Sequence, residues 1–243
     1  MIFLRSSLFN LLFYGLTAVM AVACLPVLLL PRGAVLGVVH AWCTLVTALE
    51  RHVAGIDYEV RGREHIPPSG PYLVAAKHLS PYETMKIHLI FRDPAIVLKK
   101  ELMHIPLWGW YAARVGLIPI DRGRRGAAMD SLIRGAKARI AQGRPVVLFP
   151  QGTRVDPDAT PAERPYKAGI ARLQAATGLP ILPMALNSGL FWPRKGWMKY
   201  PGTVVFSLLP PLAPGADVPT TLARLESQIE TETRKLLDEA PHR

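Results

Sequence analysis

Tyr72-Leu73-Val74-Ala75-Ala76-Lys77-His78-Leu79-Ser80-Pro81-Tyr82-Glu83 is the stretch whose reading decides the fold. Tyr72–Ala76 is a short apolar run, as expected for a strand covered on both faces. Ser80 suits a helix N-cap, Pro81 the first helical position and Glu83 the third, so a helix is predicted over Pro81–Ile90. A strand that passes through four residues into a helix start is the repeating unit of an α/β domain. It leaves His78 at the strand's carboxyl end, facing the helix start, where α/β proteins often bind and react.

Glu83 lies one turn into that helix and can turn back to hold the imidazole. A carboxylate there fixes the tautomer and stabilises the imidazolium formed when His78 takes a proton. Ser80-x-x-Glu83 also reads as a capping box, which accounts for Glu83 without catalysis. The residues alone leave both readings open.

Outward from this unit, strands and helices alternate from residue 56 onward. Further strands are predicted at Asp57–Arg61, Ala95–Leu98, Leu117–Ile120, Val146–Phe149, Ile181–Ala185 and Thr203–Leu208. Helices are predicted at Leu107–Arg114, Ala127–Gln142, Lys167–Thr177 and Thr220–Glu239. In the second of these, Met129, Leu132, Ile133, Ala136 and Ile140 recur at helical spacing, with Arg134, Lys137 and Arg139 on other faces. The fold class is therefore α/β, with a mainly parallel, helix-flanked sheet.

The chain has 243 residues, half of them apolar, and no internal repeat. Residues 1–54 read as membrane-anchoring helices and residues 55–243 as one globular domain, enough chain for one well-buried core and short for two. Leu8 to Leu30 carries no charge; as a helix it covers roughly 35 Å against a hydrocarbon core of about 30 Å. A cleaved signal peptide ending at Ala21-Val22-Ala23 fits less well, because the apolar run continues to Leu30. A second apolar stretch, Ala34–Leu49, either returns to the surface as the second arm of a hairpin or lies in the membrane interface. The basic remainder predicts an inner (plasma) membrane location with the domain on the cytoplasmic side.

The formal charge is +11, from 29 basic and 18 acidic residues, which suits an anionic bilayer or a phosphorylated substrate. A nucleic-acid role is disfavoured: the basic run Arg122–Arg144 lacks aromatics, and no nucleic-acid motif stands out. Cys24 and Cys43 both sit in apolar runs. They offer no disulfide framework, no metal knuckle and no nucleophile for the globular part. The scattered histidines make no metal site, and no cofactor is expected.

Phe149-Pro150-Gln151-Gly152-Thr153-Arg154 follows another strand. Gly152 lets a ligand approach the backbone, Thr153 offers a hydroxyl and Arg154 a planar fork matched to phosphate oxygens. Asp121-Arg122 and Lys99-Lys100 close two more strands. Together these residues would set several cations and one histidine along one sheet edge: a phosphate site beside a general base. Taken singly, each is also what a turn or a solvated strand end looks like.

The order His78-x4-Glu83, Lys99-Lys100-Glu101-Leu102…Ile105-Pro106…Gly109…Ile120-Asp121-Arg122, Phe149-Pro150-Gln151-Gly152-Thr153-Arg154 and Ile181-Leu182-Pro183 resembles the lysophosphatidic acid acyltransferase (1-acylglycerol-3-phosphate O-acyltransferase) family. The blocks span residues 78–183. The resemblance implies a sheet of the glycerolipid acyltransferase type on a membrane. It implies acyl transfer from acyl-CoA or acyl-carrier protein to a lysolipid hydroxyl, forming phosphatidic acid in phospholipid biosynthesis. His78 takes the base position. Arg122, Gly152, Thr153 and Arg154 hold the acceptor's phosphate, Lys99 falls in a block linked to the acceptor, and Pro183 in one linked to the acyl donor. Two positions depart from the usual pattern. Glu83 stands where aspartate is usual, and Gln151 where glutamate is usual, which removes a charge and keeps hydrogen-bonding capacity.

Another lysolipid acceptor, a lyso-ornithine lipid or a lysophospholipid, remains an alternative. So does a membrane-tethered binder of anionic lipid without catalysis. The segment Phe191–Tyr200 mixes aromatic and basic residues; it is expected either at the headgroup level or packed locally over the sheet.

Overall fold

The computed structural model describes residues 1–121 and 125–240. Two helices come first, α1 (Ile2–Ala23) and α2 (Arg32–Leu49), joined by a 3-10 turn over Leu25–Leu29. Both are long and apolar enough to cross a membrane. Then follow β1 (Ile56–Arg61), β2 (Leu73–Ala76), α3 (Tyr82–Ile90), β3 (Ala95–Lys99), α4 (Trp108–Val115), β4 (Ile118–Ile120) and α5 (Arg125–Ile140). The chain continues through β5 (Val146–Leu148), α6 (Gly169–Thr177), β6 (Ile181–Leu186), β7 (Gly202–Leu208) and α7 (Val218–Asp238). Each predicted strand and helix of the domain is present, with ends shifted by a few residues.

The strands make one sheet in the order β1-β7-β6-β2-β5-β3-β4. Five neighbouring pairs are parallel; only β6 and β7 run antiparallel. β1 and β7 therefore run against the other five strands. Helices cover both faces. Val74, Ala76, Ile96, Val147, Leu182 and Phe206 pack toward α1–α4, and Leu73, Ala75, Val97, Val146, Ile181 and Val205 toward α5–α7. This is the two-residue alternation of a strand, and it explains why the strands read as unbroken apolar runs.

The first helix differs from the expected Leu8–Leu30. It starts earlier, takes in Arg5, and stops at Ala23. Pro26 has no N–H to continue the helical ladder, so the chain tightens into the 3-10 turn. Arg5 is accommodated because its Nε donates to the Val53 carbonyl at 2.9 Å.

The hairpin does not stand off the domain; it is bonded to it at both ends. Near the start of α1, Ser6 Oγ donates to the Lys199 carbonyl at 3.2 Å, and Asn10 Nδ2 to that of Trp197 at 2.9 Å. At the turn end, Arg32 forms an ion pair with Asp93, and Arg144 lies 3.2 Å from the same carboxylate. At the end of α2, Glu50 pairs with Lys86 of α3, and both side chains are fully buried. A hairpin tied to charged groups at each end lies along the domain. Phe3, Leu4, Leu8, Leu11 and Tyr14 of α1 stay exposed on its outer side.

The segment Phe191–Tyr200 is largely the seat of α1. Trp192 is buried and meets Phe9 and Phe13 edge-on at 5.3 and 5.7 Å. Lys199 is buried over the Trp192 ring, and burial pulls its ammonium down to about 8. Trp197 alone of these aromatics stays half exposed, and its Nε1 donates to Ser7 Oγ at 2.8 Å.

Candidate active site at the carboxyl edge of the sheet

Alternation along β2 continues into the residues after it. Lys77 falls on the side of Leu73 and Ala75, where its ammonium meets Glu230 of α7 at 2.5 Å. Burial pulls Lys77 below the usual lysine range, and the Glu230 carboxylate opposes that pull. His78 falls on the opposite side, against α3.

There His78 Nδ1 lies 2.8 Å from Glu83 Oε1. The same oxygen accepts the backbone N–H of Leu79 at 2.7 Å and of Ser80 at 2.8 Å. The other oxygen, Oε2, accepts from Ser188 Oγ at 2.7 Å. Glu83 is fully buried and carries these four donors. Such a carboxylate is held in place from both of its oxygens. With Nδ1 donating to it, the neutral imidazole keeps its lone pair on Nε2. The ring lies 4.0 Å from that of Phe149, nearly parallel, and is 15% exposed. It is thus fixed on one side and reachable on the other.

The two readings of Glu83 are therefore one arrangement. Its carboxylate closes the back half of the capping box on the Ser80 N–H and also holds the histidine. The cap itself is shifted by one residue: α3 starts at Tyr82, and Ser80 Oγ accepts from the Tyr82 N–H at 3.1 Å.

The turn after β5 is fastened to the same place. The Val155 N–H donates to the His78 carbonyl at 2.9 Å, and the Gly152 N–H to that of Phe149 at 2.8 Å. Gly152 has φ +70°, in the left-handed region that glycine enters freely. Thr153 and Arg154 are exposed beyond it. Arg194 braces the turn, donating to the Arg154 carbonyl at 2.9 Å and pairing with Asp156 at 3.0 Å. Gln151 is buried and points into its own loop: its amide donates to the Arg164 carbonyl at 3.2 Å, and its Oε1 has no hydrogen-bond partner.

Sheet order gathers the rest. β2, β5, β3 and β4 are neighbours and parallel, so their carboxyl ends form one row. His78 follows β2, the Gly152–Arg154 turn follows β5, Lys99 ends β3 and Asp121 follows β4. Lys99 is exposed; Lys100 Nζ lies 3.9 Å from Asp121. Arg122 lies outside the described residues. Pro183 sits within β6, opposite Ala75.

Ser188 was not legible as a site residue. It stands 105 positions from Glu83, and Asn187-Ser188-Gly189 after β6 looks like an ordinary turn. Removing its hydroxyl leaves Glu83 with one donor fewer and more negative charge facing the imidazole. Ser188→Ala is expected to lower turnover by about tenfold. The loss should fall on kcat and leave the KM for the acceptor unchanged, because Ser188 reaches the reaction only through Glu83 and His78. Wild-type kcat in the folded variant would show that Ser188 only packs.

The site thus sets a histidine held by a buried carboxylate beside an exposed glycine-containing turn at the sheet edge of an α/β protein. The chain belongs to the acyltransferase family, whose pattern matches residues 57–187. It is similar to the 1-acyl-sn-glycerol-3-phosphate acyltransferase of Pseudomonas aeruginosa, with 37% identity over 79% of this chain and 74% of that protein. It is 30% identical to the human 1-acyl-sn-glycerol-3-phosphate acyltransferase alpha, over 76% of this chain and 67% of that one. Its fold matches the crystal structure of the 1-acyl-sn-glycerophosphate (LPA) acyltransferase PlsC from Thermotoga maritima. That match has a TM-score of 0.81 over 100% of both chains, at 22% identity.

Proposed function

We propose that this protein acylates the free hydroxyl of 1-acylglycerol-3-phosphate to form phosphatidic acid, with His78 as the general base and acyl-CoA or acyl-carrier protein as donor. The observation that carries the reading is the Glu83–His78 pair at the same sheet edge as the Gly152–Arg154 turn. The names of the relatives from Pseudomonas aeruginosa and human support the substrate.

In this mechanism, the acceptor's phosphate is held by Arg154, the Gly152–Thr153 turn, Lys99 and Arg122. The free hydroxyl then meets His78 Nε2. The imidazole takes the hydroxyl proton as the oxygen attacks the thioester carbonyl, and Glu83 stabilises the imidazolium. The tetrahedral intermediate collapses, the C–S bond breaks, and the thiolate leaves with the proton from His78. Hydroxyl and thioester become ester and thiol, and no acyl-enzyme forms. General-base catalysis contributes about 10²–10⁴-fold, and the fixed distance between phosphate and hydroxyl supplies orientation.

The membrane reading rests on the apolar hairpin lying along the domain and on the chain's excess of basic charge, which suits an anionic leaflet. We assign the protein to the inner membrane, with the site on the cytoplasmic side.

The test is thiol release from acyl-CoA by detergent-purified protein, with and without lysophosphatidic acid. Release that requires the acceptor, with phosphatidic acid formed, is expected. Lipid binding without transfer from either donor class would leave the non-catalytic lipid binder as the better reading. Arg154→Ala is expected to raise the apparent KM for lysophosphatidic acid at least tenfold, the loss of a charge-assisted pair. Unchanged KM and kcat would remove Arg154 from the site.

A further inference from the structure

We propose that the segment Leu102–Trp110 is a second membrane-insertion element, a lip that enters the bilayer interface at the carboxyl edge of the sheet beside the acceptor site. It rests on the acyl-transfer reading above and adds to it the route by which a lipid acceptor reaches the histidine edge.

The segment starts three residues after β3, in the 3-10 turn Lys100–His104, and so leaves from the row of strand ends that carries His78. It exposes Leu102, Ile105, Trp108 and Trp110, the last by 56%. Such a cluster is unlike the single apolar residues scattered on any surface. The backbone holds it outward at a cost. Leu107 has φ +63° and ψ −60°, and the Trp108 N–H donates to the Pro106 carbonyl at 2.7 Å, which makes a strained γ-turn. Behind it the chain is pressed together: a Cβ on Gly109 would lie 2.0 Å from the Met103 carbonyl oxygen. Backbone strain of this kind persists where the surroundings over-determine it, and often at functional sites.

The occupant follows from continuity. α4 is stitched to the hairpin, with Tyr111 Oη donating to the Ala21 carbonyl at 3.1 Å. Arg114 donates to the carbonyls of Leu28 at 3.0 Å and Leu30 at 2.6 Å. Leu29 and Leu30 are themselves exposed, so the lip lies next to an exposed apolar turn of the hairpin. Lys99 and Lys100 are exposed at its start. Tryptophan with flanking lysine is the composition favoured at the headgroup level of a bilayer.

The test uses the full chain reconstituted in vesicles of phosphatidylethanolamine and phosphatidylglycerol, with a fraction of the acyl chains brominated. Tryptophan emission of the wild type is compared with that of a Trp108→Phe/Trp110→Phe variant, which keeps the lip apolar. The fluorescence lost in the variant is expected to be the strongly bromine-quenched part. Equal fractional quenching in the two proteins would overturn the proposal. So would lost emission that iodide in the water quenches instead. This readout needs no turnover, so it stands or falls apart from the acyl-transfer reading. In a kinetic arm, Trp108→Ser/Trp110→Ser is expected to raise the apparent KM for vesicle-borne long-chain lysolipid about tenfold. KM for a short-chain, monomeric acceptor should stay the same. A rise confined to the KM for acyl-carrier protein would instead make the lip a protein-docking surface and overturn the proposal.

Discussion

His78→Ala is expected to lower kcat/KM for acyl transfer by about 10²–10⁴-fold while leaving the melting temperature close to that of the wild type. The large effect comes from chemistry, since His78 is the group that takes the hydroxyl proton in this reading. The small effect on stability comes from position: the ring packs on Phe149 but keeps an open face, and its one ion-pair partner, Glu83, retains three other donors. Glu83→Gln separates the carboxylate's two roles. The amide oxygen can still accept the Leu79 and Ser80 N–H groups, and the amide nitrogen can donate to Ser188, so the fold should survive. The charge behind the imidazole is lost, and turnover should fall with it. Near-wild-type turnover in a folded His78→Ala protein would end the base assignment.

Glu50→Ala or Lys86→Ala is expected to destabilise the protein by about 3–5 kcal/mol, the cost of leaving one member of a fully buried ion pair alone. The pair joins the end of the hairpin to α3, the helix that carries Glu83 one turn earlier. Lys86 Nζ also donates to Thr47 Oγ1 and lies 4.7 Å from the Tyr82 ring centre and 5.1 Å from that of Tyr58. Glu50→Leu/Lys86→Met removes both charges together and should cost much less than the two single losses summed. Melting curves in detergent read both results. Single variants within about 1 kcal/mol of wild type would mean that the hairpin is not fastened to α3 through this pair.

The candidate site was partly legible for reasons that are local. His78, Glu83 and the Gly152–Arg154 turn each sit within a few residues of a strand end that the apolar pattern marks. Glu83 was visible both as a cap and as a histidine partner because both roles need a carboxylate one turn into the same helix. The rest was hidden because it is non-local. Ser188 reaches Glu83 only after β6 has been laid beside β2, and Trp192 takes its place only when α1 folds back onto the domain. Lys77 adjoins the histidine in sequence, yet strand alternation sends it to the opposite face and to Glu230.

By itself, the sequence determined the seven strands and the helices between them, the apolar N-terminal helices, and which residues stand at strand ends. Those follow from period, from caps and from proline, which act over a few residues. Only the tertiary structure decided that β1 and β7 run against the other five strands, and that the hairpin lies along the domain instead of standing away from it. The row of His78, the turn after β5, Lys99 and Asp121 was likewise decided by sheet order. These depend on which apolar faces meet and which buried charges find partners, and both are settled between segments far apart in the chain.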